Sequence, residues 1–409
     1  MGTHTSPLPS QTYEKDFDDQ NNKFGSDSSM SPSISSQPSL PSVPSLNKLS
    51  QEIFTIHHRC ISTLKGHSSN VFSLALSGKH LYSGSSNSEL RVWSQTPSDQ
   101  YNSTNNIVSS CKSAVKCIVI LGDKLFSAHQ DHKIRVWKID HNSPSQNHKC
   151  ISTLPTLNDR VTGLFSGKNS VETGKHKKST WVHHDTVSAL ALSIDGSFLY
   201  SASWDRTFKI WRTSDYKCLE SVSNAHDDAI NAIVSSNDGY IYTGSGDRKI
   251  KVWCKNGDNK HSLVDTLEEH KSAVNALALS SDGDILYSGA CDRSIIVWEK
   301  TEGSGHMAVT GALRGHAKAI LCLAVVSDIL CSGSADKTVR IWRRKTDRSY
   351  SCLAVLEGHT GPVKCVTAAM DYSGAADSNV APTDTTPYLI YSGSLDCDVK
   401  VWQIWVPFL

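Results

Sequence analysis

The sequence lacks an excess of charge: among 409 residues, 41 lysines and arginines face 40 aspartates and glutamates. Nothing in this balance holds the chain on nucleic acid or on an anionic membrane, so neither is expected as a direct partner. No apolar run approaches the roughly 20 residues that span a bilayer. The opening residues, MGTHTSPLPSQ, contain no basic segment followed by an apolar one. The chain is therefore expected to be soluble and intracellular, in the cytoplasm, the nucleus or both. The 12 cysteines include no C-x-x-C pair. Cys117, Cys322 and Cys365 alternate with apolar residues in strand-like runs, the pattern of buried reduced thiols rather than of disulfides or a zinc site. No metal and no cofactor is expected. Also missing are G-x-S-x-G, H-E-x-x-H and a phosphate-binding glycine loop.

Residues 1–50 are almost free of aromatic residues and rich in Ser, Pro, Asn and Asp. Such a segment cannot bury enough apolar surface to offset its ordering entropy, and a disordered tail is expected. Ser6-Pro7 and Ser31-Pro32 are candidate sites for a proline-directed kinase, although Ser-Pro pairs also arise freely in such composition.

From Cys60 onward the chain repeats itself. Aligned on their final tryptophan, seven segments read LYSGSSNSELRVW, LFSAHQDHKIRVW, LYSASWDRTFKIW, IYTGSGDRKIKVW, LYSGACDRSIIVW, LCSGSADKTVRIW and IYSGSLDCDVKVW. They end at Trp93, Trp137, Trp211, Trp253, Trp298, Trp342 and Trp402. Without insertions the period is 42 to 45 residues, the length of a four-stranded propeller blade. Strand and turn signals alternate within each unit. The expected fold is an all-β, seven-bladed propeller over residues 60–402 with a disordered N-terminal tail and a short C-terminal tail at 403–409.

Three further positions recur with the tryptophan. Six residues before it stand Asn87, Asp131, Asp205, Asp247, Asp292, Asp336 and Asp396. Ten before it is always a hydroxyl: Ser83, Ser127, Ser201, Thr243, Ser288, Ser332 and Ser392. Further upstream lie His67, His183, His226, His270, His316 and His359, with Cys111 in the second repeat. Serine, histidine and aspartate are the parts of a nucleophilic triad. A catalytic set is needed once, however, and this one recurs in nearly every repeat. The expected role is structural: the indole N–H finds an acceptor in the hydroxyl, and histidine bridges hydroxyl and aspartate.

These residues identify the resemblance. Gly66-His67, Gly315-His316, Gly358-His359 and the terminal tryptophans resemble WD40 repeats, although the aspartate that often follows the tryptophan is absent. More narrowly, CISTLPTLNDRV (Cys150 to Val161), the insertion after it, and WVHHDTVSALALS (Trp181 to Ser193) resemble plant WD-repeat proteins of the Jingubang type. That resemblance implies a non-catalytic regulatory protein linked to pollen germination, with plant transcription factors among its partners.

Only seven residues follow Trp402, so the strand 60–64 is expected to complete the last blade and close the ring. Two insertions, 155–179 and 371–387, break the period. The first carries Lys168, Lys175, Lys177 and Lys178 and is expected to be a solvated loop beside the histidine loops.

A monomeric protein-interaction scaffold is the function these features favour. The rival is a substrate receptor of a cullin-type ubiquitin ligase, for which Trp298-Glu299-Lys300-Thr301 is the nearest match to a Trp-Asp-x-Arg signature, without its final basic residue. Trp204 stands in the turn before Asp205, where other repeats carry Ser86, Gln130, Gly246, Cys291, Ala335 and Leu395. Such a tryptophan packs on a neighbouring blade or anchors a partner. With Asp227, Asp228, Lys271 and Lys318 as a charged rim, it marks the expected partner site.

Overall fold

A computed structural model describes residues 43–47, 56–94, 107–110, 112–139, 148–156, 170–173, 176–179, 181–257, 260–301, 306–371 and 385–408. All regular structure among them is β. Seven four-stranded antiparallel sheets follow one another as blades. Blade 1 runs Val71–Ser77, His80–Ser85, Glu89–Ser94 and Ile107–Ser110; blade 2 runs Val115–Leu121, Lys124–His129, Ile134–Lys138 and Lys149–Leu154. Blade 3 is Val187–Leu192, Phe198–Ser203, Phe208–Arg212 and Cys218–Val222; blade 4 is Ile230–Ser235, Ile241–Ser245, Ile250–Lys255 and His261–Leu267. Blade 5 is Val274–Leu279, Ile285–Ala290, Ile295–Lys300 and Met307–Leu313; blade 6 is Ile320–Val326, Ile329–Ser334, Val339–Arg344 and Tyr350–Leu356.

Blade 7 takes three strands, Val363–Met370, Thr385–Ser394 and Val399–Pro407, from the end of the chain and its outer strand, His58–Leu64, from the beginning. That strand runs antiparallel to Val399–Pro407, from His58 opposite Ile404 to Leu64 opposite Val399. First strands of consecutive blades touch, and the first strand of blade 7 touches that of blade 1, so the ring is closed.

Blade packing explains the small residue in the second strand of each repeat. Every first strand begins with a β-branched residue that is fully buried: Val71, Val115, Val187, Ile230, Val274, Ile320 and Val363. Each leans on the second strand of the preceding blade. A Cβ at Gly84 would meet Val115 at 2.4 Å, one at Gly289 would meet Ile320 at 2.4 Å, and one at Gly393 would meet Val71 at 2.7 Å. At interior packing density such an overlap forces the neighbouring side chains or backbone to shift, and where blades 2 and 3 do carry a Cβ it is only that of Ala128 and Ala202.

Several boundaries differ from the sequence-based expectation. Ser6-Pro7 and Ser31-Pro32, with most of the expected tail, lie outside the described residues. Val43 to Asn47, also assigned to that tail, are ordered instead against blades 5 and 6. Gln403 to Pro407 is not a tail but prolongs a strand paired with Thr385 to Leu389, because Ile404 and Val406 find buried apolar places. The insertion 155–179 contains a two-stranded hairpin, Ser170–Thr173 with His176–Ser179. Lys168 and Lys175 lie outside the described residues, as does the middle of the 371–387 insertion.

Candidate functional site

Each repeat carries a tryptophan in its third strand, and the alternation of the strand turns that side chain into the blade. Trp211, Trp298, Trp342 and Trp402 are nearly inaccessible. Each indole Nε1–H donates to the hydroxyl ten residues earlier: Trp211 to Ser201 at 2.8 Å, Trp253 to Thr243 at 2.9 Å, Trp298 to Ser288 at 2.9 Å, Trp342 to Ser332 at 2.9 Å and Trp402 to Ser392 at 2.8 Å.

The hydroxyl in turn meets the loop histidine. His226 Nε2 lies 2.7 Å from Thr243 Oγ1, and His183, His270, His316 and His359 Nε2 lie 2.8 Å from Ser201, Ser288, Ser332 and Ser392 Oγ. The other ring nitrogen faces the aspartate. Nδ1 is 2.8 Å from Asp247, Asp292, Asp336 and Asp396 in blades 4 to 7, and 3.3 Å from Asp205 in blade 3. A carboxylate only accepts, so Nδ1 carries the proton and Nε2 accepts from the hydroxyl. The same carboxylates take the amide after the histidine, such as Ala317 N at 2.9 Å from Asp336.

The electrostatics fit a neutral histidine beside an ionised aspartate. Burial holds His183 at about 4 and lowers His316 and His359. Burial alone would raise the Asp247 and Asp292 carboxyls, but hydrogen bonds led by those from His226 and His270 outweigh it, and both stand at about 2. Burial opposes ionisation of Asp205, Asp336 and Asp396 as well, and their histidine partners again prevail. These serines are fully buried and already accept from an indole. No substrate can reach them, so the recurring trio cannot work as a nucleophile and its base.

Aspartate has a second task that spacing alone did not reveal. The residue after it, or after Asn87 in blade 1, has a left-handed backbone in every blade: Ser88, His132, Arg206, Arg248, Arg293, Lys337 and Cys397, with φ between 65° and 74°. Five of the aspartates accept from the amide one residue further on, as Asp336 does from Thr338 N at 3.0 Å and Asp396 from Asp398 N at 3.0 Å. The carboxylate thus closes an Asx turn over a conformation that non-glycine residues rarely adopt.

Blades 1 and 2 build the network from other residues. In blade 1, Ser83 accepts from Trp93 at 2.8 Å and pairs with His67 at 2.6 Å. Asn87 turns to Ser68, while Glu89 Oε2 comes within 3.4 Å of His67 Nδ1. In blade 2 the position of Cys111 lies outside the described residues, and the histidine comes from the strand itself: His129 Nε2 meets Ser127 Oγ at 2.7 Å and its Nδ1 meets the Ser113 carbonyl at 3.1 Å. Asp131 is released to pair with Arg135 at 2.6 Å. His129 was visible in LFSAHQD as the residue two beyond the hydroxyl, hence on the same face of the strand.

The expected partner site is less simple. Trp204 is half-buried, its amide donating to Thr186 O at 3.0 Å. Lys116 of blade 2 holds its ammonium 5.3 Å from the Trp204 ring centroid and 4.3 Å from that of Phe72 in blade 1. Both distances lie within cation–π range. Three blades therefore contribute to one aromatic, cation, aromatic stack, built from the starts of two first strands and the turn that carries Trp204, on the histidine-loop face. Asp227, Lys271 and Lys318 are exposed on their loops. Asp228 is half-buried and caps the Ala229 amide at 2.7 Å. Neither Phe72 nor Lys116 was singled out from sequence, because their pairing with Trp204 crosses blades.

Among the described residues no group of three or more His, Cys, Asp or Glu side chains is placed to hold a metal. The cysteines among them are free, and burial pushes the Cys117 thiol up to about 11 and that of Cys322 to about 12. Among the described residues no helix is long and apolar enough to cross a membrane.

Comparison with known proteins agrees with the architecture. The family model described as WD domain, G-beta repeat matches residues 58–94, 175–212, 216–254, 261–299, 307–343 and 350–403. Blade 2, with its relocated histidine, is not among the six segments. The chain is similar to the WD repeat-containing protein pop2 of Schizosaccharomyces pombe, with 30% identity over 172 residues, 38% of this chain and 22% of that protein. The match thus spans under a quarter of that relative. Matched over more than half its length and folded into seven blades of this repeat, the chain belongs to the WD40 family.

Proposed function

We propose that this propeller is a non-catalytic protein-interaction scaffold and that a regulatory protein segment binds its histidine-loop face around Trp204. WD40 propellers are generally protein-interaction folds, and here the recurring polar residues are consumed in holding the blades together. The observation that carries the choice of face is the stack of Phe72, Lys116 and Trp204, a half-buried aromatic anchor with exposed Asp227, Lys271 and Lys318 on further loops of the same face. Resemblance of Cys150 to Val161 and Trp181 to Ser193 to Jingubang-type proteins supports the finer reading. In that reading it is a plant regulatory protein of the cytoplasm or nucleus, acting through transcription-factor or signalling partners in pollen germination.

Trp204→Ala tests the face. Capture of the native partner, identified by proximity labelling in the source cell, should weaken by about 2 kcal/mol or more while the melting temperature changes little. A lowered melting temperature with normal capture would make Trp204 a packing residue of Lys116 and nothing more. Recovery of a cullin adaptor instead of a transcription factor would favour the ubiquitin-ligase reading.

A further inference from the structure

The outer strand of each blade leaves one edge unpaired within its own sheet. Between blades 5 and 6 that edge is covered. Val43 to Asn47 lies there as an extended segment, bridged in parallel to Ala312 through Ser45 and to Tyr350 through Asn47. The Ala312 amide donates to the Pro44 carbonyl at 2.8 Å, the Leu46 amide to the Ala312 carbonyl at 3.0 Å and the Tyr350 amide to the Leu46 carbonyl at 3.1 Å. The segment thus joins the outer strands of two blades.

Its side chains supply selectivity. Asn47 imitates a backbone pair: Nδ2 donates to the Arg314 carbonyl at 2.6 Å and Oδ1 accepts from the Arg314 amide at 2.9 Å. The Arg314 guanidinium donates to the Val43 carbonyl at 2.8 Å. Leu46 packs against the apolar cluster containing Tyr287, Ile295 and Tyr350, and Val43 is only 3% exposed.

The groove is shaped for this backbone. A Cβ at Gly311 would meet Leu46 Cγ at 2.5 Å, the Pro44 carbonyl oxygen at 2.8 Å and Leu46 Cδ2 at 2.9 Å, all atoms of the segment. Gly311 pairs with Val297, the residue before the blade's terminal tryptophan. At the same register the outer strands of blades 7, 2, 3, 4 and 6 carry Ser62, Ser152, Glu220, Asp265 and Ala354. Only blade 5 among these has given up its side chain, and it is the blade on which the segment lies.

We propose that the groove between the outer strands of blades 5 and 6 is a peptide-recognition site. Its ligand is a short extended segment with an aliphatic residue followed, three and four positions on, by leucine and asparagine. The chain's own Val43 to Asn47 is the resident occupant. This is strand addition to a sheet edge, with backbone bonds giving affinity and the Leu46 and Asn47 pockets giving selectivity. The site lies at the outer strands and is separate from the face around Trp204.

The test uses protein lacking residues 1–50 and a labelled synthetic peptide of residues 41–49, read by fluorescence anisotropy. Saturable one-to-one binding with Kd below about 1 mM is expected. Leu46→Ala or Asn47→Ala in the peptide, or Gly311→Ala in the protein, should each weaken it at least about tenfold, the last read beside the variant's peptide-free melting temperature. The full-length protein, already occupied, should not bind the peptide. Absence of binding, equal binding by substituted peptides, or equal binding by the full-length protein overturns the proposal. Should the truncated protein not fold, amide exchange on the full-length Leu46→Ala/Asn47→Ala variant decides. Faster exchange at Ala312 and Tyr350, by about tenfold or more, supports the site, and unchanged protection there refutes it.

Discussion

Replacing Asp336 by alanine removes one acceptor from four donors. His316 Nδ1 lies at 2.8 Å, the Ala317 amide at 2.9 Å, the Thr338 amide at 3.0 Å and Thr338 Oγ1 at 2.7 Å. They do not suffer equally. The His316 side chain is 1% exposed and cannot exchange its lost partner for water, keeping a longer contact from Nδ1 to Thr338 Oγ1 at 3.3 Å, whereas Ala317 is exposed and Thr338 half-buried. An orphaned buried donor costs about 1 to 3 kcal/mol, and loss of the Asx turn over Lys337 adds to it, so about 3 kcal/mol in all is expected. In a chain of this size that corresponds to roughly 5 °C in calorimetric melting. Asp131→Ala is the control at the same repeat position. Its carboxylate is 28% exposed and held by Arg135, while His129 turns to the Ser113 carbonyl, so the loss should stay within about 1 kcal/mol. Equal losses in the two variants would refute the argument that the buried histidine sets the cost. So would an unchanged melting point for Asp336→Ala.

The buried histidines predict acid lability between pH 6.5 and 4. Burial holds His67, His129 and His183 at about 4, below the ordinary 6.5. The unfolded chain therefore takes up their protons first, and their contribution is complete above pH 6.5 and lost as pH falls toward 4, by up to about 3 kcal/mol each. Melting temperature recorded against pH should fall steeply from 6.5 to 4, and a flat profile would contradict the neutral, buried assignment. Gly393→Val, which places side-chain atoms against Val71 Cγ1 and Cys365 Sγ, should destabilise the junction of blades 7 and 1 by about 1 to 3 kcal/mol in urea unfolding. Deleting residues 1–66 removes the outer strand of blade 7 and exposes the edge of Val399–Pro407, so light scattering should report aggregation that deletion of 1–42 does not cause. Identical behaviour of the two truncations would argue against ring closure by His58–Leu64.

The repeat made much of the network readable. Hydroxyl, aspartate and tryptophan sit within eleven residues of one another on two strands and the turn between them, so their spacing is set by strand and turn geometry. Six histidines could be picked out because each loop before a first strand is similar in length. Blade 2 escaped that rule: His129 reaches Ser127 from two residues along the same strand, a position at which the other repeats carry serine or alanine. Blade 1 escaped it at the other end, where Asn87 turns to Ser68 and His67 Nδ1 faces Glu89 at 3.4 Å without a hydrogen bond. The tail boundary failed for a related reason. Composition correctly shows that residues near Val43 cannot form a core of their own, but it is silent about a groove that another part of the chain provides.

The sequence by itself determined the all-β class, the seven blades and the Trp-centred network, because each follows from a pattern repeated within about forty residues. Tertiary structure alone decided that Lys116 lies between Phe72 and Trp204, and that Asn47 pairs with Arg314 across 267 residues of chain. Those contacts form once, between different blades. A contact made once leaves no periodicity to read, since its partners are brought together only when the ring closes and fixes one blade against the next.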